Sequence, residues 1–586
     1  MSIEAYLHES RRVSQPTACR VGGDARQTGI QGLDATMWKR HLLIIGLGLL
    51  GLAALGSNLL RMERVKVARD FDPGRWGRDD LRAVVEQVNE EFRRDWAARG
   101  LKHAERAPTL TVLRRLSLGL TGTIPSLEEI RAVEKVPESQ QFEWWLSRLF
   151  EDRRYADYWA ERLARAYVGT EEGPFLLFRR RRFVAWLSDR LHEADMGYAE
   201  LARHVLSDEG LWTDKPTVNF VTVTSKQDAE GNPPDPVRLA ARTTRAFLGM
   251  RIDCLQCHDD KLGKVVLGTA EENREGTQSD FHQLAAFFAS TRNKGLSGIR
   301  DEPINATNAY RVQLIGAEKE TVVPPKVPFQ QEIFDGRGTP RRQLAAWVTH
   351  PQNRAFARTA VNRIWALMFG KPLVEPIDDI PLFGPYPPAL ELLATDLIEH
   401  GYDLRRLVRI IAASDPFQID SRADFEVTAE HESRWAVFPL VRLRPEQVAG
   451  GLLQAASLTT IDANANIVWQ LIKFGQQNDF VQRYGDMGED EFSDRGGTIP
   501  QRLVMMNGQL VKERTEQNIV MNASTRIAAF APSPAAAIES AYLTVLTRRP
   551  SAEELEHFDQ RFAERGGRQQ RIHAVEDLYW TLLNST

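Results

Sequence analysis

The sequence predicts a mainly α-helical protein: an N-terminal transmembrane helix followed by two predominantly helical domains with a few short strands. Three observations carry this. An uncharged apolar run occupies residues 42–60, apolar residues recur at helical spacing through most of the chain beyond it, and a stretch rich in Gly, Asn and Pro interrupts the helical patterns near the middle. At 586 residues the chain is too long for one hydrophobic core. Its 75 Lys and Arg nearly balance 79 Asp and Glu, for a net charge of -4, so no nucleic acid is expected as partner. Three cysteines make no disulfide framework, so packed cores must supply the stability.

Residues 1–41 are polar and predict a disordered cytoplasmic arm, in which Cys19 is an ordinary thiol. Residues 42–60 approach the length of a bilayer span, lie between Trp38-Lys39-Arg40 and Arg61, and predict an uncleaved signal anchor. Cleavage at Ala54-Leu55-Gly56 is the competing reading, but some forty residues precede the apolar run. Arg61, Arg64, Lys66, Arg69, Arg75 and Arg78 at least match Arg26, Lys39 and Arg40, so the flanking charges do not set the orientation.

Residues 61–107 predict a charged juxtamembrane helix with Leu81, Val84, Val85, Val88 and Phe92 spaced among its charges. Residues 108–290 form the first helical domain. Leu110, Leu113 and Leu120 make a stripe, Ser126-Leu-Glu-Glu129 is a capping box, and Trp144, Trp145 and Trp159 are core residues. The run Arg179–Arg182 reads as a solvated helix face, and Val218–Thr224 as a strand. Pro236–Met250 predicts a helix leading to Cys254, and Phe281–Phe288 one that folds back over the two cysteines. Residues 291–340 are a Gly- and Pro-rich linker with a short strand at Tyr310–Ile315.

Residues 341–586 are the second helical domain, with Leu344, Trp347 and Val348 facing a core and Asp403 capping a helix. The acidic stretch Asp486–Asp494 lacks the ligand spacing of a calcium loop. Ser551-Ala-Glu-Glu554 is another capping box, and an amphipathic helix with Ile572, Val575, Leu578 and Leu582 ends the chain.

Chemistry concentrates in Arg251-Ile-Asp-Cys254-Leu-Gln-Cys257-His258-Asp259-Asp260-Lys261. Chance would place two cysteines three apart before a histidine on the order of 2 times in 10,000 for this composition. C-x-x-C-H is the attachment pattern of c-type haem: thiols a helical turn apart form thioethers on one porphyrin edge, and the next imidazole takes the iron. On this reading Cys254 and Cys257 tether the haem and His258 is the proximal ligand. His282, on the helix expected to fold back, is a candidate distal ligand, and Met250 lies too close in sequence to reach the opposite face. Thiolate, thiolate and imidazole are equally a zinc set, completed by Asp259, Asp260 or His282. A disulfide between Cys254 and Cys257 is the third alternative. Elsewhere, Glu375, Asp378 and Asp379 could be paired acids of a hydrolase, although loop or capping carboxylates account for them more simply.

The succession of segments resembles a bacterial family abundant in planctomycetes, a cytochrome-c-like domain (second type) followed by a companion C-terminal domain of unknown function. Leu113-Arg-Arg-Leu-Ser-Leu-Gly-Leu-Thr-Gly122, Phe150–Trp159, Arg245-Ala-Phe-Leu-Gly-Met250 running into the cysteines, and Leu284–Phe288 carry the first domain. Val361-Asn-Arg-Ile-Trp365, Leu373–Asp379, Thr498–Gln501 and Tyr542–Leu546 carry the second. Asp260, where relatives often have histidine, and Pro388-Ala389-Leu390, where they have Ser-His-Pro, depart from the pattern.

The resemblance implies an exported or membrane-anchored protein with c-type haem. Because thioether attachment resembles chemistry done outside the bacterial cytoplasmic membrane, the expectation is a single-pass protein of the inner (cytoplasmic) membrane. Its large C-terminal part would face the periplasm or cell exterior and pass electrons to a redox or cell-envelope protein. The alternative is a cell-envelope binding or scaffolding protein whose Cys-Cys-His site is held by zinc or a disulfide.

Overall fold

Several helices begin at side-chain caps, and several end at glycines. In the computed structural model, which describes residues 79–170, 180–226, 231–462, 465, 467–485, 488, 492, 497–563 and 568–585, the chain is mainly helical, with 59% helix. Helix α1 (Asp79–Arg99) puts Leu81, Val88, Phe92 and Trp96 on one buried stripe. Helix α2 (Thr109–Thr121) stops at Gly122, whose φ of 66° sits against Tyr158, where a Cβ would lie 2.4 Å from that ring. The expected capping box opens α3 (Leu127–Val133): the Glu129 N–H donates to Ser126 Oγ, and the Ser126 N–H to Glu129 Oε2. Helices α4 (Glu138–Glu151) and α5 (Arg153–Val168) bury Trp145 and Trp159, whose indoles donate to the carbonyls of Leu113 and Gly119.

The expected strand at Val218–Thr224 is instead a 3-10 turn, Pro216–Val218, running into a helical turn, Asn219–Thr222. Its β-branched residues are buried on every side, so tertiary packing overrides β propensity. Three small antiparallel hairpins are present among the described residues: β1 (Val266–Gly268) with β2 (Asn273–Glu275), β3 (Thr291–Asn293) with β4 (Ile299–Asp301), and β5 (Arg311–Val312) with β6 (Thr321–Val322).

The apolar core runs unbroken across residues 291–340. One buried cluster extends from Leu81 to Phe438 and joins Trp159, Phe247 and Phe287 to Trp347, Phe356 and Trp365. A second gathers Ile124 with residues from Ala449 to Leu583. A fully buried ion pair stitches the halves: Arg341 Nε lies 2.7 Å from Asp301 Oδ1, and its other nitrogens donate to the carbonyls of Leu206 and Asp208.

The expectation of a membrane-spanning fold and a single-pass inner-membrane location is corrected. No helix among the described residues is long and apolar enough to cross a membrane. The 21-residue α1 is interrupted by charges such as Glu90, Glu91, Arg93 and Arg94, and buries its stripe against protein. The segment 42–60 lies outside the described residues, as do Cys19 and most of the acidic stretch 486–494.

Candidate functional site

The site is reached through helix α6 (Pro236–Thr243), started by Asp235, whose carboxylate accepts from the N–H groups of Val237 and Arg238. The helix widens into a π turn, Thr244–Leu248, and ends at Gly249, with φ 60°. A Cβ on Gly249 would lie 2.6 Å from Thr359 Oγ1, so only glycine lets the chain turn here. One 3-10 turn follows, Asp253–Gln256, closed by the Cys257 N–H donating to the Cys254 carbonyl at 3.2 Å. Leu255 points inward and is fully buried, while Cys254 and Cys257 are exposed and unbridged.

His258 is exposed, and its Nδ1 lies 2.8 Å from the Asp259 carbonyl. That contact favours a proton on Nδ1 and leaves Nε2 as the lone-pair nitrogen, without a hydrogen-bond partner among the described residues. Partial desolvation on its inner side, with Asp260 nearby, pushes the Cys254 thiol above its ordinary pKa although the residue is exposed. At neutral pH it is a thiol rather than a reactive thiolate.

The two aspartates after the motif hold backbone. Asp259 Oδ1 accepts from the Gln278 N–H at 2.8 Å. Asp260 accepts from the N–H groups of Val265 and Leu262, which hold its carboxyl below the usual range. Helix α7 (Gln278–Ala285) folds back over the turn. On it His282 is buried, with Nδ1 2.9 Å from the Tyr310 hydroxyl and Nε2 3.1 Å from the Gln256 carbonyl. Both nitrogens are engaged, and burial lowers its pKa, keeping the ring neutral. No group of three or more His, Cys, Asp or Glu among the described residues is arranged to hold a metal ion.

Sequence reasoning missed the support behind the motif. Arg245 forms an ion pair with Asp253, next to Cys254. Arg251 Nε lies 2.8 Å from Asp378 Oδ1, and the Ile380 N–H donates to the Gly249 carbonyl at 2.7 Å. Of the three acids offered as hydrolase candidates, two serve the approach to the turn: Asp378 holds Arg251 and Asp379 takes the Arg251 N–H, while Glu375 pairs with Lys371. Arg363 donates to the Ala246 carbonyl at 2.5 Å and to the Arg245 carbonyl at 3.4 Å. Arg245 and Arg363 both stand in segments that carried the family resemblance, which was the available signal.

Two family models match the chain. One, described as PSCyt2, a protein of unknown function (DUF1549), matches residues 87–293, and the other, PSD1, a protein of unknown function (DUF1553), matches residues 340–468. No curated protein and no solved structure matches. The chain thus carries, in the expected order, the planctomycete cytochrome-c-like domain and its C-terminal companion.

Proposed function

We propose that this chain is a c-type haem protein that exchanges electrons with a protein partner, the haem being tethered at Cys254 and Cys257 and its iron held by His258. The observation that carries the reading is the presentation of three donors on one turn. Both cysteines are exposed and unbridged, Leu255 anchors the turn from within, and His258 is exposed with Nδ1 set on a backbone carbonyl and Nε2 unbonded among the described residues. These residues fit the group, because thioether tethering needs accessible sulfurs one turn apart and iron ligation needs an imidazole whose tautomer is set by its other nitrogen. When bound, the haem would supply one-electron redox chemistry.

The chain's own residues bear the remaining tasks. Arg251 with Asp378, and Gly249 with Ile380, fix the approach to the turn, and Asp260 folds the loop after it. Exposure of the three donors suits contact with a protein partner at this surface. Zinc is less well supported: Asp259 and Asp260 accept from backbone amides, and both nitrogens of His282 are engaged.

The test is to express the full chain in a host with haem-attachment machinery, denature it, and look for a haem spectrum that stays with the polypeptide. One haem per chain is expected, abolished in the C254S/C257S double variant. Colourless protein from a competent host refutes the reading, and stoichiometric zinc in the same sample would replace it.

A further inference from the structure

Beside the π turn that leads to the motif lies a cavity of about 50 Å³, walled by Arg162, Arg165, Arg245 and Arg363 with Leu367 and Phe492 among its apolar lining. The only carboxylate on its wall among the described residues, Asp378, is held by Arg251. Arg162 and Arg165 reach Glu446 at 3.0 and 2.8 Å, and Arg245 has Asp253.

Arg363 is different. It is 6% exposed, donates to two backbone carbonyls and approaches the Tyr198 hydroxyl, and has no carboxylate partner among the described residues. A guanidinium keeps its charge when buried, so Arg363 places a cation on the cavity wall with no carboxylate bonded to it among the described residues. The π turn at Thr244–Leu248 presents those carbonyls and so fixes Arg363 in place. Beside it, Arg245 Nε is a buried donor with no acceptor among the described residues.

We infer that this cavity is a binding site for a small oxyanion, a carboxylate or phosphate group, held by Arg363 and Arg245. The room exceeds the roughly 10–15 Å³ that one water needs and suits a single anionic group. Planar guanidinium forks match such groups in geometry as well as charge. The anion has two sources of the same chemistry. One is a propionate of a haem tethered at Cys254 and Cys257, which rests on the proposed haem attachment; the other is a free ion, which does not.

The full chain is to be melted in inorganic phosphate and in chloride at matched ionic strength, as wild type, R363Q and R245Q. R245Q guards against misfolding of R363Q, since the Arg245 side chain is 39% exposed. In parallel, wild type and R245Q shown to carry attached haem are titrated for midpoint potential. A rise in melting temperature specific to phosphate, lost in R245Q and in any folded R363Q, supports a free ion. No phosphate effect, with a lower midpoint potential in R245Q at unchanged haem content, supports a propionate. Absence of both responses overturns the site, including the case in which no haem attaches and phosphate has no effect. A phosphate response in protein that takes no haem refutes the redox reading while leaving the anion site standing.

Discussion

Leu255→Ala tests whether the turn carrying the cysteines is held from within. Leu255 is fully buried between two exposed residues. A Cβ placed on Gly276 would lie 2.7 Å from its Cδ1 and 3.0 Å from Val265 Cγ1, so these three residues converge tightly. Removing three carbons forfeits about 0.8 kcal/mol of transfer energy each, or about 2.4 kcal/mol. The residual cavity raises this to about 3 kcal/mol, in the lower part of the range for buried leucines because a surface turn can partly collapse. The assay is native-state hydrogen exchange at three amides: Cys257 to the Cys254 carbonyl, Asp260 to that of Gly276, and Gly276 to that of Val265, at 3.2, 2.9 and 2.8 Å. A loss of about 3 kcal/mol corresponds to exchange roughly 100-fold faster. The Ala523 amide, bonded to the Ala456 carbonyl near the second core, serves as the control and keeps its rate. Protection within about threefold of wild type at all three amides would refute inward anchoring of the turn.

Arg341→Met leaves Asp301 buried without its partner and should cost about 3–5 kcal/mol, read as a lower urea midpoint. An unchanged midpoint would mean that the pair contributes nothing net. Gly249→Ala combines a left-handed backbone with a 2.6 Å approach to Thr359 Oγ1 and should cost about 3 kcal/mol in the same assay. A loss below about 1 kcal/mol would show that the junction relaxes freely. His204 is held above its ordinary 6.5 chiefly by its hydrogen bond to Asp208. Since the folded value exceeds the unfolded one, this stabilisation is complete below about pH 6.5 and fades as pH rises through the folded value. The melting temperature of wild type should therefore fall relative to H204Q between about pH 6 and 8, and parallel profiles would refute the assignment.

Local chemistry was legible in the sequence, and long-range chemistry was not. The caps at Ser126, Asp403 and Ser551 need only residues within one turn, and all three form as expected. The helix ahead of Cys254 and its partner folding back were legible from apolar spacing. Val218–Thr224 misled because β-branched residues suit any fully buried segment, and there is no alternation in burial to mark a strand. At the site, the spacing of Cys254, Cys257 and His258 marked the turn. It could not reveal that His282 spends both nitrogens on Tyr310 and Gln256, or that Arg363 lies against carbonyls 117 and 118 residues away in the chain. Such pairings are set by packing and leave no periodic trace.

The apolar cluster that passes from Trp159 and Phe287 to Trp347 and Trp365 bears on how the polypeptide can be divided. The exposed connection around Glu318, Lys319 and Glu320 is an accessible place for a protease to cut, yet a nick there would sever the backbone without parting the molecule. The two fragments would co-elute until denatured, and each made separately would show its partner a raw hydrophobic face. In this chain the two family domains share one interior, so each depends on the other to cover it.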